Sequence, residues 1–268
     1  MTCLVFSRDR AMQLQAAIEL FYLHCEDVPK IYVLYKVTSL LHQKQYNVLK
    51  DKFRDITFLE ETDFKAQVIE ITSKSRYIFF LCDDAVFVKD FSIAEIAASM
   101  EKNQDVISFT LFLGRNTYYC YPKNMEQDIP ECEEQGRILK YDWVKADKML
   151  DFGYPMNIGA CVFFAGDIIW LMKGIDFKNP NLLEGMLAIN ARVYAEHKNK
   201  RLCYKQSVAF INPINLVQDV CKNRVGNNKK YSAENLALAF DLGWKIDIES
   251  YSGFVSDSAI QELELKLK

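Results

Sequence analysis

The sequence predicts an α/β fold with a mostly parallel central sheet flanked by helices. Short apolar strands alternate with helical stretches between residues 2 and 84, giving the order β-α-β-α-β-α-β. The run from Tyr77 to Leu81 contains only aromatic and aliphatic side chains, which is typical of a strand buried on both faces of a parallel sheet. Such alternation favours right-handed crossovers that place helices over the sheet.

Apolar periodicity then gives each element in turn. Met12, Leu14, Ile18 and Phe21 recur at helical spacing and define the first helix. Helices are predicted over residues 11–24, 39–53, 63–73, 91–102, 166–173, 179–197 and 232–242. Strands are predicted over residues 2–6, 30–37, 56–59, 77–82, 105–113, 138–143 and 203–211, with another after the turn at 153–159.

Residues 115–150 differ in character, because tyrosines, prolines and acids crowd together there without a clear period. We predict an irregular insertion or a lid. Its tyrosines Tyr118, Tyr119 and Tyr121 could stack on sugar rings, although packing in a core is the commoner role of tyrosine.

Composition narrows the class of protein. Half of the 268 residues are hydrophobic and the net charge is −3, so a sizeable core is available and nucleic acid is not expected as a partner. The eight cysteines form no Cys-x-x-Cys pair, which gives no sign of a zinc site and fits a reducing compartment. We see neither a signal peptide nor a membrane-spanning run. We expect a cytoplasmic protein, with peripheral membrane contact left open.

The buried run at 77–82 ends abruptly in two adjacent carboxylates, Asp83 and Asp84. Ligands of open α/β sheets bind just beyond the carboxyl ends of the strands. Two acids at that place are suited to a hard divalent cation, which in turn can neutralise a diphosphate. The alternative is that the pair only caps a strand and a turn.

No glycine-rich phosphate loop occurs, and no glycine precedes Gly114. Dinucleotide oxidoreductases and P-loop enzymes are therefore disfavoured. Phosphates would need a metal ion and side chains such as Arg8 and Arg10, unless those arginines only lie on a solvated loop.

Glu184 also has two interpretations. It lies three residues after Asn181, which is the spacing of a capping box with Asn181 as the N-cap. Alternatively, a carboxylate near a helix start that faces the cleft can serve as a general base.

The order of these stretches resembles that of nucleotide-sugar glycosyltransferases of the GT-A fold, similar to glycosyltransferase family 2. The resemblance covers roughly residues 2–245. The individual motifs match the family only loosely, and the resemblance rests on their order along the chain. It is carried by Ser7-Arg8-Asp9-Arg10 after the first strand, Cys82-Asp83-Asp84 in the place of an Asp-x-Asp motif, Asn179 to Glu184, and Asn215 to Arg224 after the last strand.

The resemblance implies a single GT-A-type Rossmann-like domain over residues 1–250. Residues 1–114 would form the nucleotide-sugar-binding half, 115–250 the acceptor-binding half, and 251–268 a C-terminal tail. It implies a metal-dependent enzyme with Mn²⁺ or Mg²⁺. The donor would be a nucleotide-diphosphate sugar, with UDP-sugars favoured, and the acceptor a glycan or glycolipid, as in polysaccharide biosynthesis.

Site roles follow from the same resemblance. Because the sequence reads Asp-Asp-Ala and not Asp-x-Asp, Asp84 is expected as the direct metal ligand, with Asp83 near the ribose or a metal-bound water; the other register, with Ala85 in the ligand's place, would put metal dependence in doubt. Glu184 is expected as the base of an inverting hexosyl- or N-acetylhexosaminyltransferase. The remaining expected donor-site residues are Ser7, Arg8, Asp9, Arg10, Glu60 and Arg224, with Asp219 as a further metal ligand.

Two other classes of protein remain open from the sequence. A nucleotidyltransferase would also use a metal and a doubly wound sheet, but usually has a glycine-rich basic loop near the first strand. A non-catalytic relative that binds a glycan or a protein partner would need no metal.

Overall fold

The structure, a computed structural model, describes residues 1–217, 226 and 228–268. Its strands are β1 (Thr2–Arg8), β2 (Lys30–Lys36), β3 (Thr57–Glu60), β4 (Tyr77–Cys82), β5 (Ala85–Phe87), β6 (Val106–Thr110), β7 (Tyr119–Cys120), β8 (Met125–Glu126), β9 (Cys132–Gln135), β10 (Ile138–Asp142), β11 (Ala160–Phe164), β12 (Lys200–Tyr204) and β13 (Ala209–Ile211). Its α-helices are α1 (Ala11–His24), α2 (Leu40–Lys52), α3 (Phe64–Thr72), α4 (Ile93–Lys102), α5 (Ala165–Gly174), α6 (Pro180–Asn190) and α7 (Ala233–Asp241). None of the helices in this described part is both long and apolar enough to cross a membrane.

Nine of the described strands form one sheet in the order β3-β2-β1-β4-β11-β6-β12-β10-β9. Within this sheet only β10 and β11 run against the direction shared by the others. The first four strands in chain order, β1 to β4, are all parallel neighbours, as their alternation with helices predicted. The predicted fold class, a mostly parallel sheet flanked by helices, is confirmed.

The centre of the sheet is apolar because β1 and β4 are covered on both faces. Every residue from Tyr77 to Leu81 is buried. Helix α1 packs Phe21 against Phe79 with ring centroids 5.8 Å apart, and against Phe87 at 5.3 Å. Burying one such side chain contributes roughly 1.5–3 kcal/mol, so the strand that carries the acid pair is held firmly.

Three predicted elements were wrong in detail. The stretch 203–211 is two strands, β12 and β13, because the chain turns at Lys205 to Ser207 and β13 leaves the main sheet to pair with β5. The helix predicted to end at 197 ends at Asn190 and continues as a 3₁₀ turn. Residues 115–150 are less irregular than expected, since β9 and β10 form a hairpin that extends the main sheet.

Candidate active site

The acid pair and the first-strand loop leave the sheet side by side. Strands β1 and β4 are parallel neighbours with Phe6 opposite Cys82. Ser7 therefore lies next to Asp83 at the carboxyl edge of the sheet, where parallel strands present ligands. Sequence stretches about 75 residues apart meet here because of this register alone.

A ring of hydrogen bonds fixes Asp83. The Ser7 hydroxyl donates to Asp83 Oδ2 at 2.7 Å, and the Arg10 guanidinium donates through Nη1 to Asp83 Oδ1 at 2.9 Å. Tyr46 completes the ring, since its hydroxyl bonds Ser7 Oγ at 2.5 Å and accepts from the backbone N–H of Arg10 at 3.4 Å. Both carboxylate oxygens of Asp83 are thus occupied, and a closed buried network of this kind holds one geometry.

Arg10 also contacts Asp84 and the loop after β13. Its Nη1 lies 3.0 Å from Asp84 Oδ2, and its Nη2 donates to the carbonyl oxygen of Asn215. One guanidinium therefore joins the ends of β1 and β4 to the loop that follows the last strand.

Burial and the neighbouring charges have opposite effects on the pKa values of Arg10 and Asp84. Burial alone would lower the pKa of Arg10, but the charges of Asp83 and Asp84 raise it above its ordinary value, so the guanidinium stays protonated. Burial raises the pKa of Asp84 to about 6, although Arg10 opposes that rise. The two carboxylates and one guanidinium carry a net charge near −1, which leaves room for further positive charge.

Glu184 of α6 is held near the same edge of the sheet by the turn that precedes β11. Strand β11 is antiparallel to β4, and the Cys82 N–H donates to the Gly159 carbonyl at 3.0 Å. The neighbouring Ile158 N–H donates to Glu184 Oε2 at 2.9 Å, and the Tyr154 hydroxyl lies 3.4 Å from Oε1. Burial raises the pKa of Glu184, while those two hydrogen bonds partly offset the rise.

Strand pairing brings Glu184 toward the acid pair, because Gly159 bonds Cys82 at the end of β4 and the adjacent Ile158 bonds Glu184. Burial raises the pKa of the Cys82 thiol well above its ordinary value, and the charges of Asp84, Asp83 and Glu184 raise it further. Glu184 therefore lies at the same edge of the sheet as Asp83 and Asp84.

The capping-box interpretation of Glu184 is wrong. Helix α6 begins at Pro180, and Asn179 is its N-cap, with Oδ1 accepting from the Leu182 N–H at 2.9 Å. Proline is favoured at the first helical position, which places the cap one residue before it. Asn181 lies within the first turn, so the carboxylate of Glu184 is directed to Ile158 and not to the helix start.

A buried arginine supports the loop that holds Glu184. Arg201 on β12 is 1% exposed. Its guanidinium donates to the Tyr154 carbonyl at 2.9 Å, to the Asp151 carbonyl at 3.4 Å and to Ser108 Oγ at 3.0 Å. It thereby ties the turn before β11, which supplies Glu184 with two donors, to the centre of the sheet.

Replacing Arg201 by methionine should lower the free energy of unfolding by about 3 kcal/mol, because it leaves two buried carbonyls and a hydroxyl without their donor. The exposed Arg192, changed to methionine, is the control and should shift stability by less than about 0.5 kcal/mol. Urea unfolding followed by circular dichroism measures both. Equal stability of the two variants would contradict this role of Arg201.

The other expected donor-site residues are distributed unevenly. Asp9 has a φ of 54°, and its two oxygens accept from the Thr38 N–H at 2.8 Å and the Thr38 hydroxyl at 2.9 Å. It therefore orders the turn before α2. Arg8 is exposed beside Asp9. Glu60 lies at the exposed end of β3, two strands from β1, with its Oε2 3.4 Å from the Tyr35 hydroxyl. Asp219 and Arg224 lie outside the described residues.

The acid pair fits a divalent cation only in part. Its oxygens are the ligands that Mg²⁺ and Mn²⁺ prefer. Each oxygen of Asp83 already accepts a hydrogen bond, whereas Arg10 is the one described side chain that bonds Asp84, and it uses only Oδ2. Within residues 1–217, 226 and 228–268, no group of three or more His, Cys, Asp or Glu side chains is placed to hold a metal. Asp84 is thus the member of the pair that can act as a ligand.

A large cavity of about 1170 Å³ lies elsewhere, beside the β9–β10 hairpin. Its walls include Asp105 and Lys200, which stand at the starts of β6 and β12, and the half-exposed Tyr118. Those strand starts face away from the carboxyl edge that carries Asp83 and Asp84. We place the candidate site at the acid pair because charged groups of opposite sign converge there under burial.

Two residues at this site were not predicted from the sequence. Tyr46 faces the site from α2, and Tyr154 comes from the turn before β11. A helical period can assign Tyr46 to a buried face, which it occupies at 0% exposure, but no local pattern links it to Ser7. Tyr154 had no sequence signal, because its place depends on β11 lying next to β4.

A known glycosyltransferase is similar to this chain in sequence. No protein-family model matches the chain. The sequence is 24% identical to the bifunctional glycosyltransferase pgtA of Dictyostelium discoideum over 88% of this chain, and the chain spans 37% of that relative.

Two solved structures illustrate how distant the structural likenesses are. S. aureus TarS 1-349 in complex with UDP superposes with a TM-score of 0.47 at 11% identity, covering 80% of this chain and 61% of that chain. A CMP:2-keto-3-deoxy-manno-octonic acid synthetase complexed with CTP superposes with a TM-score of 0.41 at 9% identity, covering 90% of this chain and 99% of that chain.

The sequence match covers 88% of this chain, and the observed sheet has the predicted class. The resemblance to glycosyltransferases inferred from the order of the motifs is therefore confirmed: this chain is similar to a known glycosyltransferase over most of its length.

Proposed function

We propose that this chain transfers a sugar from a nucleotide-diphosphate sugar, with UDP-sugars favoured, to a hydroxyl of a glycan or glycolipid. The transfer is metal-dependent and inverts the configuration, and the sugar is a hexose or an N-acetylhexosamine. Glu184 is the base. One observation carries the proposal: Arg10, Asp83, Asp84 and Glu184, drawn from three distant stretches, converge on the carboxyl edge of β4.

The residues at this edge of the sheet have different proposed roles in donor binding. Asp84 would hold the divalent cation, which when bound neutralises charge on the diphosphate leaving group. Arg10 and the exposed Arg8 supply further positive charge toward the phosphates. Asp83 is held by Ser7 and Arg10, so it orients these groups. Glu60 and Asp9 remain candidates for contacts with the base and ribose.

Glu184 is suited to proton abstraction for two reasons. Burial raises its pKa, which makes the carboxylate a stronger proton acceptor than an exposed one. The Ile158 N–H fixes one of its oxygens at 2.9 Å, which leaves the carboxylate oriented. We propose that it accepts the proton of the acceptor hydroxyl as that oxygen attacks the sugar from the face opposite the leaving group.

Thermal unfolding with MnCl₂ and a panel of UDP, GDP, CMP and TDP tests the donor site. A ligand that binds only the native state raises the midpoint of thermal unfolding. At a hundredfold excess over its Kd, it stabilises the native state by about 2.7 kcal/mol. We expect a shift that needs both metal and one nucleotide, with the largest shift for UDP. A folded sample that shifts with no pair would reject the transferase and favour a non-catalytic binding protein.

A further inference from the structure

We propose that Arg10 and a divalent cation compete for the carboxylate of Asp84, so that Arg10 bonds Asp84 in the free protein and leaves it when metal and nucleotide bind. The inference rests on the proposed metal site, but not on sugar transfer. It assigns to Arg10 a positioning role at the acid pair.

The geometry supports competition between the Arg10 guanidinium and a divalent cation. A single nitrogen, Arg10 Nη1, lies 2.9 Å from Asp83 Oδ1 and 3.0 Å from Asp84 Oδ2. It thus stands between the two acids and bonds one oxygen of Asp84, the acid that would hold the cation. A metal ion on the Asp84 oxygen that Arg10 does not bond would share one carboxylate with the guanidinium, so the two cations would repel each other at close range.

Charge reinforces the competition. Arg10 and the pair are almost fully buried, with side-chain exposures of 9%, 5% and 12% for Arg10, Asp83 and Asp84. Repulsion between a guanidinium and a divalent ion is weakly screened at such a site. Free metal should therefore bind poorly, whereas a nucleoside diphosphate brings the negative charge that Arg10 needs once it leaves Asp84.

The other bonds of Arg10 define where the exchange occurs. Its Nη2 bonds the Asn215 carbonyl and its backbone N–H contacts Tyr46. These contacts do not involve the acids, so the guanidinium can give up Asp84 and remain anchored beside the site.

Titration calorimetry with MnCl₂ alone, at fixed pH, measures the competition. Arg10→Gln should bind Mn²⁺ about tenfold or more tightly than the wild type, because the competing charge is gone. Adding UDP should strengthen Mn²⁺ binding to the wild type more than to Arg10→Gln. Arg54→Gln is the matched control, since Arg54 is exposed and bonds the Asp51 carbonyl away from the acid pair, and it should leave Mn²⁺ affinity unchanged.

Three results would overturn the competition. They are equal Mn²⁺ affinity in wild type and Arg10→Gln, weaker binding in Arg10→Gln, or the same gain in Arg54→Gln. Circular dichroism checks that each variant folds. If Arg10→Gln does not fold, Arg10→Lys decides, because lysine keeps the charge but lacks the planar fork and should raise Mn²⁺ affinity by a smaller factor. A protein that shows the competition but transfers no sugar would retain this inference and lose the proposed function.

Discussion

Glu184→Gln is expected to lower the rate of sugar transfer by about 10²- to 10⁴-fold, the usual contribution of a positioned general base. Glutamine keeps an oxygen that can accept from the Ile158 N–H, so the turn before β11 should stay in place. Donor binding should be unchanged, since Glu184 contacts neither Asp83 nor Asp84 directly. Steady-state kinetics with a donor identified by the unfolding panel, together with nucleotide affinity, measures both quantities.

Glu70→Gln is the control for this substitution. Glu70 lies on α3 with its side chain 70% exposed, in an ion pair with Lys74. Its loss should leave transfer unchanged, because exposed ion pairs contribute little. Full activity of Glu184→Gln, or loss of donor binding in that variant, would remove Glu184 from the role of base.

The pH profile gives a second signature of the same carboxyl. A base must be deprotonated, so the rate should fall as the pH decreases through the pKa of Glu184. Burial raises that pKa above the ordinary glutamate value, and the acid limb should therefore appear at a higher pH than for an exposed glutamate, whose pKa is about 4.3. The residual activity of Glu184→Gln should lack the part of this limb that Glu184 contributes.

Asp84→Asn should weaken metal-dependent nucleotide binding by more than about a hundredfold, since even the loss of an outer partner of a metal ligand costs 10- to 100-fold. Asp84 has an oxygen that no other described side chain bonds, and asparagine would replace a charged ligand by a neutral one. The measurement is the unfolding midpoint with MnCl₂ and nucleotide, compared with the midpoint of each variant alone.

Asp83→Asn is the matched comparison, and it should act mainly on stability. Asp83 is 4% exposed and bonds both Ser7 and Arg10. Breaking a buried ion pair by removing one partner costs about 3–5 kcal/mol. Asp84 is more exposed, so Asp84→Asn should destabilise the protein less. An Asp84→Asn variant that binds metal and nucleotide as the wild type does would contradict the assignment of Asp84 as the ligand.

Local patterns in the sequence predicted the scaffold well. The apolar run 77–82 is the buried strand β4, and the acid pair stands at its carboxyl end. Helix α1 has the predicted bounds of 11 and 24. These features depend on neighbours along the chain, where apolar periodicity reports directly on burial.

Features that depend on distant pairing were not predictable in the same way. The insertion of β11 between β4 and β6, against their direction, places Glu184 near the acid pair. The ion pairs from Arg10 to Asp83 and Asp84 span more than 70 residues. Residue spacing reveals that 160–164 is a strand, but not which strand it adjoins, because the choice is made by packing across the whole sheet.

Release of the nucleotide leaving group, a nucleoside diphosphate from UDP-, GDP- and TDP-sugars or CMP from CMP-sugars, tests the central claim most directly when a mixture of oligosaccharide and glycolipid acceptors is supplied. The wild type should turn over one donor class in the presence of divalent metal, and Glu184→Gln and Asp84→Asn should both be severely slowed. Absence of turnover with every donor, from folded protein whose unfolding midpoint no nucleotide shifts, would contradict sugar transfer at this edge of the sheet. Equal turnover in all three proteins would place the chemistry elsewhere in the chain.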